Sequence, residues 1–206
     1  MFSYLCFQDF SATRISLLQD LFCCYALSCI KCVNFMSSSC TGTSVVCLEG
    51  AVCGSQYATA KTGSLNAQLI VRSCLPESQC TMDGTITFID GKTKIGTSCC
   101  NTTNCTPTNP SLPADSEEVN GVTCPSCISD DLKTCSTSDY IECTGDEDMC
   151  VSQTTKIKGN NAFPAALRGC STKSVCDLGS LKLSSKDITL KVKFTCTSES
   201  KGHSEL

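Results

Sequence analysis

Tryptophan is absent from the 206-residue chain, and histidine occurs once, at His203 in a polar tail. Tyrosine and phenylalanine are scarce, at four and eight copies. A hydrolase with a Ser-His-Asp or His-Asp apparatus needs an imidazole held by its surroundings, and a histidine in a polar tail is a solvated residue. Zinc is disfavoured too, because its sites want histidine partners or tight CxxC pairs in fours. Basic residues do not dominate: 16 Lys and Arg stand against 20 Asp and Glu, a net charge of −4. That balance argues against nucleic acid or an anionic membrane as partner and leaves a basic protein partner open. The expectation is a binding protein with no catalytic residue, cofactor or metal.

What the chain does have is cysteine, 21 copies, a little over a tenth of its length. Above roughly 8–10% Cys, a secreted disulfide scaffold is the default. The cysteines repeat. From Cys29 to Cys99 the successive gaps are 3, 8, 7, 6, 21, 6 and 19 residues; from Cys124 to Cys196 they are 3, 8, 8, 7, 20, 6 and 20. A repeat kept in cysteine spacing means that crosslinks, more than side-chain identities, fix the fold. Each copy is about 80 residues, too small for a hydrophobic core alone to give more than a few kcal/mol. A disulfide contributes about 2–4 kcal/mol, so several per copy supply the difference.

The first 26 residues resemble a poor signal sequence. Ile15–Ala26 is mostly apolar, follows Arg14 and ends in an acceptable Cys24-Tyr25-Ala26 cleavage site, but Gln19 and Asp20 interrupt it and Asp9 precedes it. A structured N-terminal helix is the alternative. Removing residues 1–26 takes away Cys6, Cys23 and Cys24 and leaves 18 cysteines, ten in the first copy and eight in the second. Both counts are even, as full pairing requires.

The expected organisation is a first domain at 27–105, a linker at 106–121, a second domain at 122–196 and a polar tail at 197–206. Strand signals fall at Gln68–Ser73, Thr85–Ile89 and Lys92–Ile95, with Asp90-Gly91 as a two-residue hairpin turn. Ile188–Phe194 alternates strictly between apolar and polar, as a half-buried strand does. Thr106–Gly121 carries three prolines and three acids and reads as an exposed linker. The tail contains no hydrophobic segment, so neither a membrane span nor a lipid-anchor signal is expected. Short strands between clustered cysteines give an all-β, disulfide-rich reading, with three hairpin fingers projecting from a knot in each copy.

The opening CxxC pairs, the full spacing and the closing Cys99-Cys100-Asn101-Thr102-Thr103-Asn104-Cys105 resemble the lymphocyte-antigen-six/urokinase-receptor family of three-finger (snake-toxin-like) domains. The resemblance implies pairs Cys29–Cys53, Cys32–Cys40, Cys47–Cys74, Cys80–Cys99 and Cys100–Cys105, then Cys124–Cys150, Cys127–Cys135, Cys143–Cys170 and Cys176–Cys196. Two features depart from the family pattern. Thr106 follows the last cysteine of the first copy, where an Asn is usual, and the second copy lacks the closing double-cysteine loop. That asymmetry is similar to gamma-type phospholipase A2 inhibitors, as are Asn120–Pro125, Cys143–Glu147 and Leu167–Cys170. The implied function is a secreted, extracellular inhibitor that binds secretory phospholipase A2, in some members as an oligomer of related chains. Amphibian sodefrin-like pheromone precursors share the architecture, so a secreted pheromone or receptor-binding signal is the alternative.

Asn101-Thr102-Thr103 and Asn104-Cys105-Thr106 are both N-glycosylation sequons, with Asn101 favoured because a bonded cysteine disfavours the second. Candidate partner-binding residues are Pro110, Leu112 and Pro113, which otherwise form a spacer, and Phe163 and Pro164, which otherwise belong to an inward-packing strand. Arg72 and Arg168 occupy matching places before their cysteines, as a shared role at a finger base would require. Asp146-Glu147-Asp148 lacks the EF-hand spacing and reads as a solvated loop.

Overall fold

The computed structural model describes residues 26–63, 65–129, 135–158, 164–184 and 188–198, with the backbone alone at residues 65, 164 and 165. The first copy supplies β1 (Ser28–Phe35), β2 (Thr43–Val46), β3 (Ala51–Thr62), β4 (Leu65–Pro76), β5 (Asp83–Phe88) and β6 (Gly91–Cys100). The second supplies β7 (Val119–Pro125), β8 (Cys127–Ser129), β9 (Tyr140–Thr144), β10 (Met149–Lys158), β11 (Pro164–Ser171), the one-turn helix α1 (Lys173–Cys176), β12 (Ser180–Ser184) and β13 (Thr189–Thr197). Residues 1–25 of the segment 1–26 read as a signal sequence, and 199–206 of the tail, lie outside the described residues.

All strand pairs are antiparallel. The long central fingers are β3/β4, in register from Ala51↔Pro76 to Thr62↔Leu65, and β10/β11, from Met149↔Ser171 to Lys156↔Pro164. The third fingers are β5/β6 and β12/β13. β13 keeps the alternation read from its sequence: Val192 and Phe194 turn inward while Lys191 and Lys193 stay exposed. The β5/β6 turn differs by one residue from the expectation. Phe88 pairs with Gly91, so Ile89-Asp90 forms the loop and Gly91 opens β6. Gly91 is required for space, since a Cβ there would lie 2.1 Å from the Lys61 carbonyl oxygen and 2.7 Å from the Phe88 ring.

Among the described residues nine disulfides close, joining Cys29–Cys53, Cys32–Cys40, Cys47–Cys74, Cys80–Cys99 and Cys100–Cys105 in the first copy. The second has Cys124–Cys150, Cys127–Cys135, Cys143–Cys170 and Cys176–Cys196. Two bridges stack at the base of each set of fingers. The sulfurs of Cys29, Cys47 and Cys74 lie within 4.8 Å of one another, as do those of Cys124, Cys143 and Cys170. These sulfur clusters are the buried centres of the two units.

The largest aliphatic and aromatic cluster belongs to neither copy alone. Ile86 and Phe88 of β5 pack with Val151 of β10, Val175 of α1 and Phe194 of β13. β5 also pairs with β11 through Thr87↔Cys170 and Ile86↔Ser171. The result is one sheet in the order β12-β13-β10-β11-β5-β6-β3-β4-β1-β2, with β8 alongside β11 and a separate β7-β9 pair. β7 opens inside the segment 106–121 read as a linker, where Val119 pairs with Thr144.

A shared core couples the stability of the two units. Ile86→Ala should destabilise the protein by about 2–5 kcal/mol. Because Ile86 is fully buried between the copies, calorimetry should show one transition moving down as a whole. Two separated transitions in the wild-type protein would contradict the shared core.

Candidate binding surfaces at the domain junction

Thr85 and Thr87 are two apart on β5 and therefore present both hydroxyls on one face. Both donate to the same carboxylate oxygen, Glu147 Oε1, at 2.8 and 2.5 Å. Glu147 is only 2% exposed, and its Oε2 is buried with no hydrogen-bond partner among the described residues. Asn120 Nδ2 holds the loop from outside by donating to the carbonyls of Gly145 and Glu147, at 2.9 and 3.1 Å. The reading of Asp146-Glu147-Asp148 as a solvated loop is thus corrected at its middle residue: Asp146 and Asp148 are exposed, while Glu147 turns into the junction. Serine and threonine hydroxyls complete the joint. Ser126 Oγ accepts from the Ile89 amide at 2.7 Å, Thr172 Oγ1 accepts from the Thr85 amide at 3.1 Å, and Ser174 Oγ donates to the Asp83 carbonyl.

The proline-containing segment 106–118 is laid along β6 instead of standing free in solvent. Lys92, Lys94, Gly96 and Ser98 alternate onto the face that meets it. Lys94 Nζ donates to the Pro113 carbonyl at 2.8 Å, and Ser98 Oγ donates to the Thr108 carbonyl at 2.5 Å. Gly96 permits the closest approach, since a Cβ there would lie 2.4 Å from the Ser111 carbonyl oxygen. Pro107 is buried, and Pro110, Leu112 and Pro113 are half-buried. Asp115 is flanked by Lys94 at 2.9 Å and Lys92 at 3.2 Å. Hydrogen bonds from Lys94 and then Lys92 hold its carboxyl below the ordinary carboxylate range.

Segment 106–118, a strap along β6, and the Glu147 loop together wall a cleft of about 710 Å³. Asp83, Asp115, Asp146, Glu147 and Asp148 line it, against Lys92 and Lys173. Both lysines are already paired, with Asp115 and Asp177. The cleft therefore carries a surplus of negative charge beside the half-buried Pro113. Thr93 and Ile95 alternate to the opposite face of β6, where an apolar groove runs between the copies.

The other sequence-derived candidates are dispersed. Phe163 lies outside the described residues, and Pro164 contributes backbone pairing to Lys156 at the far end of β11. Ala166 is buried and Leu167 packs on the shared core, so this part of the finger packs inward. Asn101 is exposed. Asn104 is held at φ 56°, and its Oδ1 accepts from Ser44 Oγ at 2.6 Å. Arg72 and Arg168 sit opposite Cys32 and Cys127, the second cysteines of the two CxxC pairs. His203 is outside the described residues. The cysteine clusters offer no thiolate to a metal because each sulfur is already in a disulfide.

Glu147 and its threonine partners escaped the sequence reading. Thr85 and Thr87 carried the signal, two hydroxyls on one strand face in need of an acceptor, but their partner lies 60 residues or more away.

Two disulfide-stapled three-finger units share one sheet. The u-PAR/Ly-6 domain matches residues 25–108 and 120–205, and the chain belongs to that family. It is similar to the phospholipase A2 inhibitor 25 kDa subunit of Naja kaouthia, 30% identical over 132 residues, covering 63% of this chain and 71% of that protein. Phospholipase A2 inhibitor NAI of Notechis ater is 25% identical over 189 residues, covering 86% of this chain and 94% of the relative. A phospholipase A2 inhibitor gamma subunit of Laticauda semifasciata is 29% identical over 131 residues, covering 62% and 72%.

Two measurements check this geometry. Glu147→Ala removes the shared acceptor of two inward hydroxyls and should cost about 1–3 kcal/mol in urea denaturation, with Glu147→Gln milder because an acceptor oxygen remains. Lys94→Met should raise the Asp115 carboxyl toward its ordinary range, followed by NMR titration. The sign is that of a depressed carboxylate: its pairing is complete above the ordinary range and is lost as pH falls through the lowered value.

Proposed function

We propose that the protein is a secreted, extracellular inhibitor of secretory phospholipase A2 that acts by protein–protein contact. The carrying observation is the likeness to phospholipase A2 inhibitor NAI along 86% of the chain, through both three-finger units. The physical support is preorganisation. Nine disulfides and a shared core leave little ordering entropy to be lost on docking. The inhibitory face is the acidic cleft with its adjoining strap, where Leu112 and Pro113 supply apolar contact and Asp146 and Asp148 supply exposed charge for a basic partner surface. Covering the enzyme's active-site mouth or lipid-binding face would deny it substrate.

Purified protein should abolish hydrolysis of mixed micelles by at least one group I or group II secretory phospholipase at micromolar excess. Full activity of all such enzymes under those conditions would refute the reading. Leu112→Asp combined with Asp146→Lys should raise the inhibitory concentration about tenfold or more, as loss of an interface hot spot does.

We also propose that Asn101, and not Asn104, carries an N-linked glycan. Asn101 is exposed, whereas Asn104 is bonded to Ser44 and precedes the bridged Cys105. Protein from eukaryotic cells should lose its glycosidase-sensitive gel shift in Asn101→Gln and keep it in Asn104→Gln.

A further inference from the structure

The two ends of the long sheet come round to face each other. At one end Lys182, Leu183 and Ser184 of β12, and at the other Lys31 and Val33 of β1 with Val45 and Val46 of β2, line a single cavity of about 550 Å³. Beside it an apolar groove of about 130 Å³ lies between Leu69, Val71, Ile95, Leu181, Leu183 and Phe194, and none of the described residues lining it is charged. Past Met82 and Leu178 it adjoins an opening of about 580 Å³. Val71 and Leu183 line all three spaces, so the three lie side by side along these two side chains.

The two mouths differ in charge. The β1/β2/β12 mouth is lined by Lys31, Arg72 and Lys182 and by no carboxylate among the described residues. Lys31 and Lys182 are exposed and form no ion pair among the described residues. Arg72, on the face of β4 opposite Val71, donates from one guanidinium nitrogen to the Cys40 carbonyl at 3.1 Å, and its buried Nε has no acceptor among the described residues. Val46 and Leu48 stand at this mouth 72% and 87% exposed, an apolar rim in water. The opposite mouth carries Asp177.

We propose that these adjoining grooves bind a long-chain fatty acid. The acyl chain lies along Val71, Leu181 and Leu183, and the carboxylate meets Lys31 and Lys182. An apolar passage ended by a few convergent polar groups is the usual form of a small-ligand site, and the two flanking volumes fall in the range of about 300–1,000 Å³ for such sites. The charge asymmetry sets the orientation of the anion. The site does not rest on the inhibitory reading, because the apolar groove lies on the face of β6 away from the strap and the acidic cleft.

The test is displacement of a fluorescent fatty-acid probe from the fully oxidised protein by oleate, held below its aggregation concentration. Saturable, stoichiometric binding is expected, with oleyl alcohol about tenfold weaker or more. Lys182→Glu, at an exposed position of an edge strand, should weaken oleate about fivefold to tenfold and leave oleyl alcohol unchanged. Leu183→Asp should abolish binding of both. Absence of saturable probe binding to the wild-type protein overturns the site, as does undiminished binding to a Leu183→Asp protein with native circular dichroism. Equal affinity for oleate and oleyl alcohol, or for oleate and a zwitterionic lysophospholipid of the same chain, overturns the assignment of a carboxylate ligand.

Discussion

Two stacked disulfides at the base of each set of fingers are the constraint on which the rest depends. A unit of about 80 residues cannot close three long hairpins around side chains alone. Here Cys29–Cys53 beside Cys47–Cys74, and Cys124–Cys150 beside Cys143–Cys170, hold the strand ends where a larger protein would place a packed core. The central finger can then run for 12 residues on each strand in the first copy with its edges set from one end.

Because sulfur occupies those centres, the aliphatic residues are free for another use. Ile86, Phe88, Val151, Val175 and Phe194 meet between the copies, and strand pairing continues across the same line. The junction is consequently more like the interior of one domain than like a contact between two. Its polar edge is closed by hydroxyls and by Glu147. Two threonines donate to its Oε1, while Oε2 stays buried without a partner among the described residues.

Much of this was legible in the sequence where local pattern decides. Ile188–Phe194 announced its strand by alternation, and the cysteine spacing announced two like units. The pairing itself came from a family resemblance, since spacing alone leaves many connectivities open. What stayed hidden depends on distant partners. Asp90-Gly91 carries the signal of a turn, yet the loop moved back by one residue because Lys61 on a neighbouring strand leaves room only for hydrogen at Gly91. Segment 106–118 has the composition of a spacer, and no local feature tells that Lys92, Lys94 and Ser98 alternate on a strand beneath it. Glu147 resembled its acidic neighbours in every respect except the threonines 60 residues away.

The strap along β6 changes what the connection between the copies is for. A flexible tether keeps two modules together by raising their effective concentration, and its length sets how often they meet. Here the modules already share strands, core and hydroxyl bridges, so the connecting chain is not what keeps them joined. A protease that nicked the peptide bond after an exposed residue such as Ala114 would leave two fragments held as one body. The segment is therefore free to vary in composition as a surface, while the relative placement of the two units stays fixed.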